Sequence, residues 1–143
     1  MNEFFESYQS PDPALSLVVE DDGRVAYGYL LVDKEIIGDV WLYNQAETPS
    51  APEWKDESKA PFLNPSAYVD QPSDFAPITS SSELRIKWVT ENGEIVGAHI
   101  FIRGRHHATV RRAQKPGACR FARKDGPLAK VLINPEIDGP SAV

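Results

Sequence analysis

Apolar and polar positions alternate with a period of two along much of this chain, the signature of strands with one face turned to a core. Leu15–Glu20 leads through Asp21-Asp22-Gly23 into Arg24–Val32, and Asp33-Lys34-Glu35 leads on into Ile36–Tyr43. Asp-Gly between β-rich runs points to a hairpin with a type I′ turn, so residues 15–43 read as a three-stranded meander. Leu84–Thr90 leads through Glu91-Asn92-Gly93-Glu94 into Ile95–Arg103, a second hairpin with an Asn-Gly turn. Gly104-Arg105 turns the chain again, His107–Arg112 follows as a third strand, and Leu128–Ile133 supplies a seventh.

At an offset of 70 residues Gly23 falls on Gly93, Val25 on Ile95 and Leu30–Val32 on Ile100–Ile102, a weak internal repeat. Two similar antiparallel units can bury their apolar faces on each other. The expected fold is therefore mainly β: two meanders packed as a sandwich or an open barrel. With Lys34-Glu35 and Asn92-Gly93 as two-residue loops, Gly28 lies opposite Trp41 and Gly97 opposite Trp88, which reads both indoles as core. The central strands are apolar on both faces, with Val25, Tyr27, Tyr29 and Leu31 on one side and Ala26, Gly28, Leu30 and Val32 on the other. A strand in a two-layer stack needs only one apolar face. Some other segment must cover the second.

Two segments qualify. Asn2–Tyr8 places Phe4, Phe5 and Tyr8 along one side of a short helix. Asn44–Ser82 lacks periodicity and carries six of the 12 prolines, with Trp54, Phe62, Tyr68 and Phe75 spread along it. Prolines lower the entropy lost on ordering and aromatics anchor an extended chain, so this stretch reads as a wrap over the sheet. The chain thus divides, within a single domain 1–143, into a short helix (1–9), a first meander (15–43), a Pro-rich covering loop (44–82), a second meander with a final strand (84–133) and a mobile tail (134–143).

Composition narrows the class. With 41% hydrophobic and 25% charged residues the chain is an ordinary globular one. No apolar run approaches the ~18 residues of a membrane span. Met1–Glu6 offers no basic region followed by an apolar stretch, so no secretory signal is expected and the protein is placed in the cytoplasm. The net charge of −6 is uneven: residues 1–83 carry four basic and 16 acidic side chains, and residues 84–143 carry 11 basic and five acidic. Opposite charges cancel if the halves lie against each other. Otherwise one acidic and one basic face remain for a partner.

Candidate chemistry is sparse. Cys119, the only cysteine, excludes an internal disulfide and any multi-cysteine metal site. Its basic surroundings would favour a thiolate, but a cysteine hydrolase also needs an oriented histidine, and a packed thiol is the preferred reading. His106 and His107 are adjacent in an extended strand and point to opposite faces, with His99 on the same face as one of them but well along the strand from it, so no metal site is expected. Asp39 is the only carboxylate inside an otherwise apolar strand, where it needs a raised pKa or a cation partner. A solvent-facing edge position, or pairing with an arginine of the second meander, is the preferred explanation. No nucleophile elbow and no phosphate-binding glycine loop occurs.

The basic run holds Arg103, Arg105, Arg111, Arg112, Lys115, Arg120, Arg123 and Lys124 without an intervening carboxylate. It could track a nucleic-acid backbone, yet only Phe121 offers stacking within it and the sequence pI is 5.0. The preferred expectation is a small, non-enzymatic binding protein that acts by contact with another, basic protein, as an inhibitor or immunity-type partner does. Trp54, Asp56, Glu57 and Tyr68 are its candidate contact residues. The alternative is a small-molecule binder or enzyme with a pocket between the meanders near Asp39, His99 and Arg111. A third reading is nucleic-acid contact through Arg103, Arg105, Arg111, Arg112, Arg120 and Arg123. No cofactor and no metal is called for, and the oligomeric state is left open.

Overall fold

A computed structural model describes residues 2–136. The chain is mainly β and forms two sheets, neither closed into a barrel. The first has the order β1 (Phe4–Gln9), β2 (Leu15–Asp21), β3 (Val25–Val32), β4 (Glu35–Asn44). The second runs β5 (Leu84–Glu91), β6 (Glu94–Ile102), β7 (Arg105–Arg111), β8 (Ala118–Cys119), β9 (Lys130–Val131). All neighbours are antiparallel except the short β8–β9 pair. Among the described residues no helix is long and apolar enough to cross a membrane.

The turns follow from residues that tolerate positive φ. Asp33-Lys34, Asn92-Gly93 and Arg103-Gly104 each place two consecutive residues there, as type I′ hairpins require. The first hairpin differs from the sequence expectation. Only Gly23 of the central pair Gly23-Arg24 has positive φ (+90°), Asp22 N–H donates to the Val25 carbonyl, and the Asp22 carboxylate accepts from the Arg24 and Val25 N–H groups, so the turn is not type I′.

Rows of directly paired residues alternate between the two faces of the first sheet. Glu6, Val19, Gly28 and Val40 form one row, with Tyr8, Leu17, Leu30 and Gly38 beside it. This face meets the second sheet: a Cβ on Gly28 would stand 2.8 Å from Ile100 Cδ1. Leu15, Leu17, Val19, Leu30, Val40, Leu42, Ala98, Ile100, Ala108 and Val110 are fully buried between the sheets. The opposite face carries the row Phe5, Glu20, Tyr27, Trp41 and the row Ser7, Val18, Tyr29, Asp39.

Several expectations are corrected. The N-terminal helix is instead strand β1, because pairing with β2 lets Phe4, Glu6 and Tyr8 turn inward in alternation. Gly28 pairs with Val40, and Trp41 with Tyr27; Gly97 pairs with Val89, and Trp88 with Ala98. A two-residue loop at Asp33-Lys34 and bulges in the ladders move these registers by one position. Trp41 is fully buried all the same, while Trp88 is half-buried. The last hairpin turns at Arg103-Gly104, so the third strand starts at Arg105 rather than His107. Of Leu128–Ile133 only Lys130–Val131 is strand.

Residues 45–80 hold 3-10 turns at Glu57–Lys59 and Ser66–Tyr68 and are tied to the first sheet at defined points. Arg24 reaches Glu53 (2.5 Å) and the Lys59 and Pro61 carbonyls, and the Tyr27 hydroxyl donates to Phe62 (2.7 Å). Asn44 exchanges hydrogen bonds with Asn64 and Gln71, and Ile78 N–H donates to the Tyr43 hydroxyl. The proposed tail lies outside the described residues from 137 onward. Its first part is held, since Glu136 N–H donates to His106 Nδ1 (2.7 Å).

Candidate functional site

The open surface of the first sheet begins at β1. No backbone hydrogen bond from any described residue outside β2 reaches Phe4–Gln9, so β1 is a free edge. The far edge is different. Ala113, Gln114, Gly117 and Leu128 bond to Ile37, Asp39 and Trp41, covering β4 with loops of the second unit. On β1, Phe5 is 62% exposed, which is unusual for an aromatic side chain in a strand. Glu3, Glu20 and Asp22 surround it, lining with Phe4, Phe5 and Asp21 a hollow of about 250 Å³. Among the described residues no cation pairs with Glu3, Glu20 or Asp22.

Across the same face lies a second hollow of about 390 Å³, walled by Tyr27, Tyr29, Asp39, Ala60, Pro61, Phe62, Pro127 and Leu128. Tyr29 and Asp39 pair directly across the ladder, and the rings of Tyr27 and Tyr29 stack 5.8 Å apart, 12° from parallel. Burial raises the Asp39 carboxyl above its ordinary pKa, against the pull of Lys115. Burial likewise pushes the Tyr29 phenol up to about 12, so both tyrosines are neutral at pH 7. No described residue makes a hydrogen bond or ion pair with the Asp39 carboxylate or the Tyr29 hydroxyl.

His99 and Arg111 lie elsewhere, on the outer face of the second sheet. The three candidates once grouped as a pocket between the meanders therefore do not meet, because the space between the sheets is filled by the core. His99 and His106, expected to be apart, have ring centroids 4.5 Å from each other. A bulge at His107 sets three β7 residues against two of β6 and brings the rings together. Because Glu136 N–H must donate to His106 Nδ1, His106 is neutral with its proton on Nε2, which donates to Thr109 Oγ1 (2.7 Å). The hydroxyl in turn reaches His99 Nδ1 (2.6 Å), and His99 Nε2 stands 4.0 Å from Glu136 Oε2. This chain holds the 132–136 segment against the sheet. Among the described residues no group of three or more His, Cys, Asp or Glu could hold a metal ion.

His107 and Cys119 resemble a catalytic couple at 3.6 Å, but their environment opposes it. Leu42 is the extra residue of a β4 bulge, and its carbonyl accepts from His107 Nε2 (2.7 Å) and Cys119 Sγ (3.4 Å). Burial pushes the imidazole down to about 4 and the thiol up to about 12. A neutral imidazole and an un-ionised thiol serve here as donors that satisfy a buried carbonyl.

The remaining candidates are placed as follows. Trp54 packs edge-on against Tyr68 (5.6 Å), whose ring lies under Lys124 and beside Gly126. Both rings are half-buried and seat the segment, whereas Asp56 and Glu57 are exposed, Asp56 capping a 3-10 turn. The arginines do not form one track. Arg103 binds Glu83 and the Ala76 and Pro77 carbonyls, Arg111 binds Glu91, and Arg112 binds Asp12 and the Ile95 carbonyl. Arg120 donates to the His106 carbonyl and lines, with Arg103 and Arg105, a hollow of about 190 Å³; Arg123 is exposed. Sequence reasoning missed Phe5, Glu3 and Glu20 as surface residues because it placed Phe5 on a helix. Compared with protein-family models, curated proteins and solved structures, the chain matches none.

Proposed function

We propose that the protein is a non-enzymatic binding domain that takes a basic protein partner on the free edge and outer face of its first sheet, as an inhibitor or immunity-type protein would. The observation that carries this reading is Phe5, exposed on an edge strand whose outer side is free and set among carboxylates that no cation of the described residues pairs with. An aromatic anchor within a charged rim is the common anatomy of an interface hot spot, and like charges at the rim speed encounter with an oppositely charged partner. A free edge adds a row of backbone donors and acceptors that an extended segment can pair with. Asp56 and Glu57 extend the acidic surface over the 53–62 segment, which lies against Arg24 and Tyr27. Trp54 and Tyr68 hold that segment in place.

The test is capture from a host lysate by the immobilised protein, run in parallel with Phe5→Ser and Glu3→Lys/Glu20→Lys. The wild type is expected to retain basic proteins that about 0.5 M salt weakens, and both variants to lose them. Asp56→Lys/Glu57→Lys reports the share of the loop. If the variants retain the same proteins as the wild type, the reading is wrong.

A further inference from the structure

We propose that the hollow between Asp39, Tyr27 and Tyr29 is a recognition site for an organic cation, a guanidinium or ammonium group. Three features converge. The carboxylate and the Tyr29 hydroxyl are the polar groups of the hollow that no described residue satisfies, and they sit side by side across one ladder position. The neighbouring rings of Tyr27 and Tyr29 are nearly parallel, forming a π surface next to that carboxylate. The remaining walls, Pro61, Phe62, Pro127 and Leu128, are apolar and lower the polarity around the half-buried carboxylate, which strengthens its attraction for a bound cation.

A carboxylate beside aromatic faces selects positive charge on a partly apolar stem. An anion would meet Asp39, and a neutral apolar group would cover its half-buried charge without giving it a partner. Among the described residues Lys115 acts on Asp39 through its charge, without an ion pair. The cation can arrive on a free amine or on the side chain of a protein. The second source rests on the protein-binding reading above, since the hollow shares the outer face with Phe5 and Glu20.

The experiment titrates the full chain at pH 7.5 with N-acetyl-argininamide and N-acetyl-lysinamide. N-acetyl-citrullinamide serves as the uncharged isostere of the arginine probe. Binding is followed by the ring signals of Tyr27 and Tyr29 in NMR spectra. The charged probes are expected to shift those signals saturably, and citrulline to leave them in place. Asp39→Asn should weaken binding at least about tenfold, the loss of a charge-assisted contact, while keeping a wild-type spectrum elsewhere. Tyr29→Phe, which removes only a hydroxyl, should weaken it less. An extended peptide presenting one arginine separates the sources: tighter binding than the single residue assigns a protein side chain, and equal binding assigns a free amine. Absence of any saturable shift, or equal affinity in Asp39→Asn, overturns the site. Phe5→Ser is expected to abolish partner capture and leave the amine titration unchanged, so the two proposals fail separately.

Discussion

His107 offers a quantitative test of how the two sheets are joined. Its imidazole crosses from β7 to the bulge carbonyl of Leu42, packs against Phe75 and Phe121, and is buried. Burial lowers its pKa from 6.5 to about 4, so the folded protein keeps it neutral where the unfolded chain would protonate it. The sign follows directly. Below pH 6.5 the unfolded state binds the extra proton, and stability falls with pH until the folded pKa is passed. For one such site the loss between neutral pH and pH 5 comes to about 2 kcal/mol. Other groups titrate in the same range, so the informative quantity is a difference.

His107→Asn removes the titrating group and leaves a smaller donor. It should cost stability at pH 7.5, through lost packing and a poorer hydrogen bond to Leu42. Its own decline from pH 7.5 to 5 should be shallower than that of the wild type by about 2 kcal/mol. The gap between the two proteins therefore narrows as pH falls. Urea unfolding monitored by tryptophan fluorescence at each pH gives both curves, provided the transitions are two-state. Parallel curves would refute the argument, because they would mean His107 titrates alike in the folded and unfolded chains.

Other consequences are simpler to check. Cys119, with its thiol pushed up to about 12 by burial, should resist a water-soluble alkylating reagent at pH 8 and react promptly in urea, as mass spectrometry would show. Gly117→Ala would place a Cβ 2.3 Å from the Thr109 carbonyl oxygen and should cost about 2–3 kcal/mol in denaturant unfolding. Gly93→Ala meets nothing within 4 Å and suffers only its positive φ, so about 1 kcal/mol is expected. Asp39→Asn should be as stable as the wild type or more so at pH 7. Its raised folded pKa means that ionisation costs stability in full above that pKa, and the cost shrinks as pH falls below it and is gone below the ordinary value of 3.8.

The hairpins were legible because their signals are local: period-two alternation and residues such as Asn92-Gly93 that accept positive φ. Segment 2–8 was not. Phe4, Phe5 and Tyr8 fit a helical stripe as well as a strand, and pairing with β2 across residues 10–14, which carry no Asn-Gly or Asp-Gly signal, decides between them. Registers slipped at Ile37, Leu42, Val96 and His107, where a bulge inserts a residue that no sequence pattern announces. The pairs β8 and β9, two residues each, exist only because the second sheet offers them an edge. The candidate sites divide the same way. Asp39 stood out as a carboxylate in an apolar run, but its walls come from residues 60–62 and 127–128, which only loop placement brings to it. His99 and His106 become neighbours through the bulge at His107, whereas the Asp39 side chain lies on the outer face of the other sheet.

The most direct test of the protein-binding account is amide hydrogen exchange along β1, with and without a captured basic partner. The account predicts that the amides of Phe4–Gln9 that point away from β2 exchange readily in the free protein and become protected in the complex. Protection confined to the second sheet, with β1 unchanged, would contradict it.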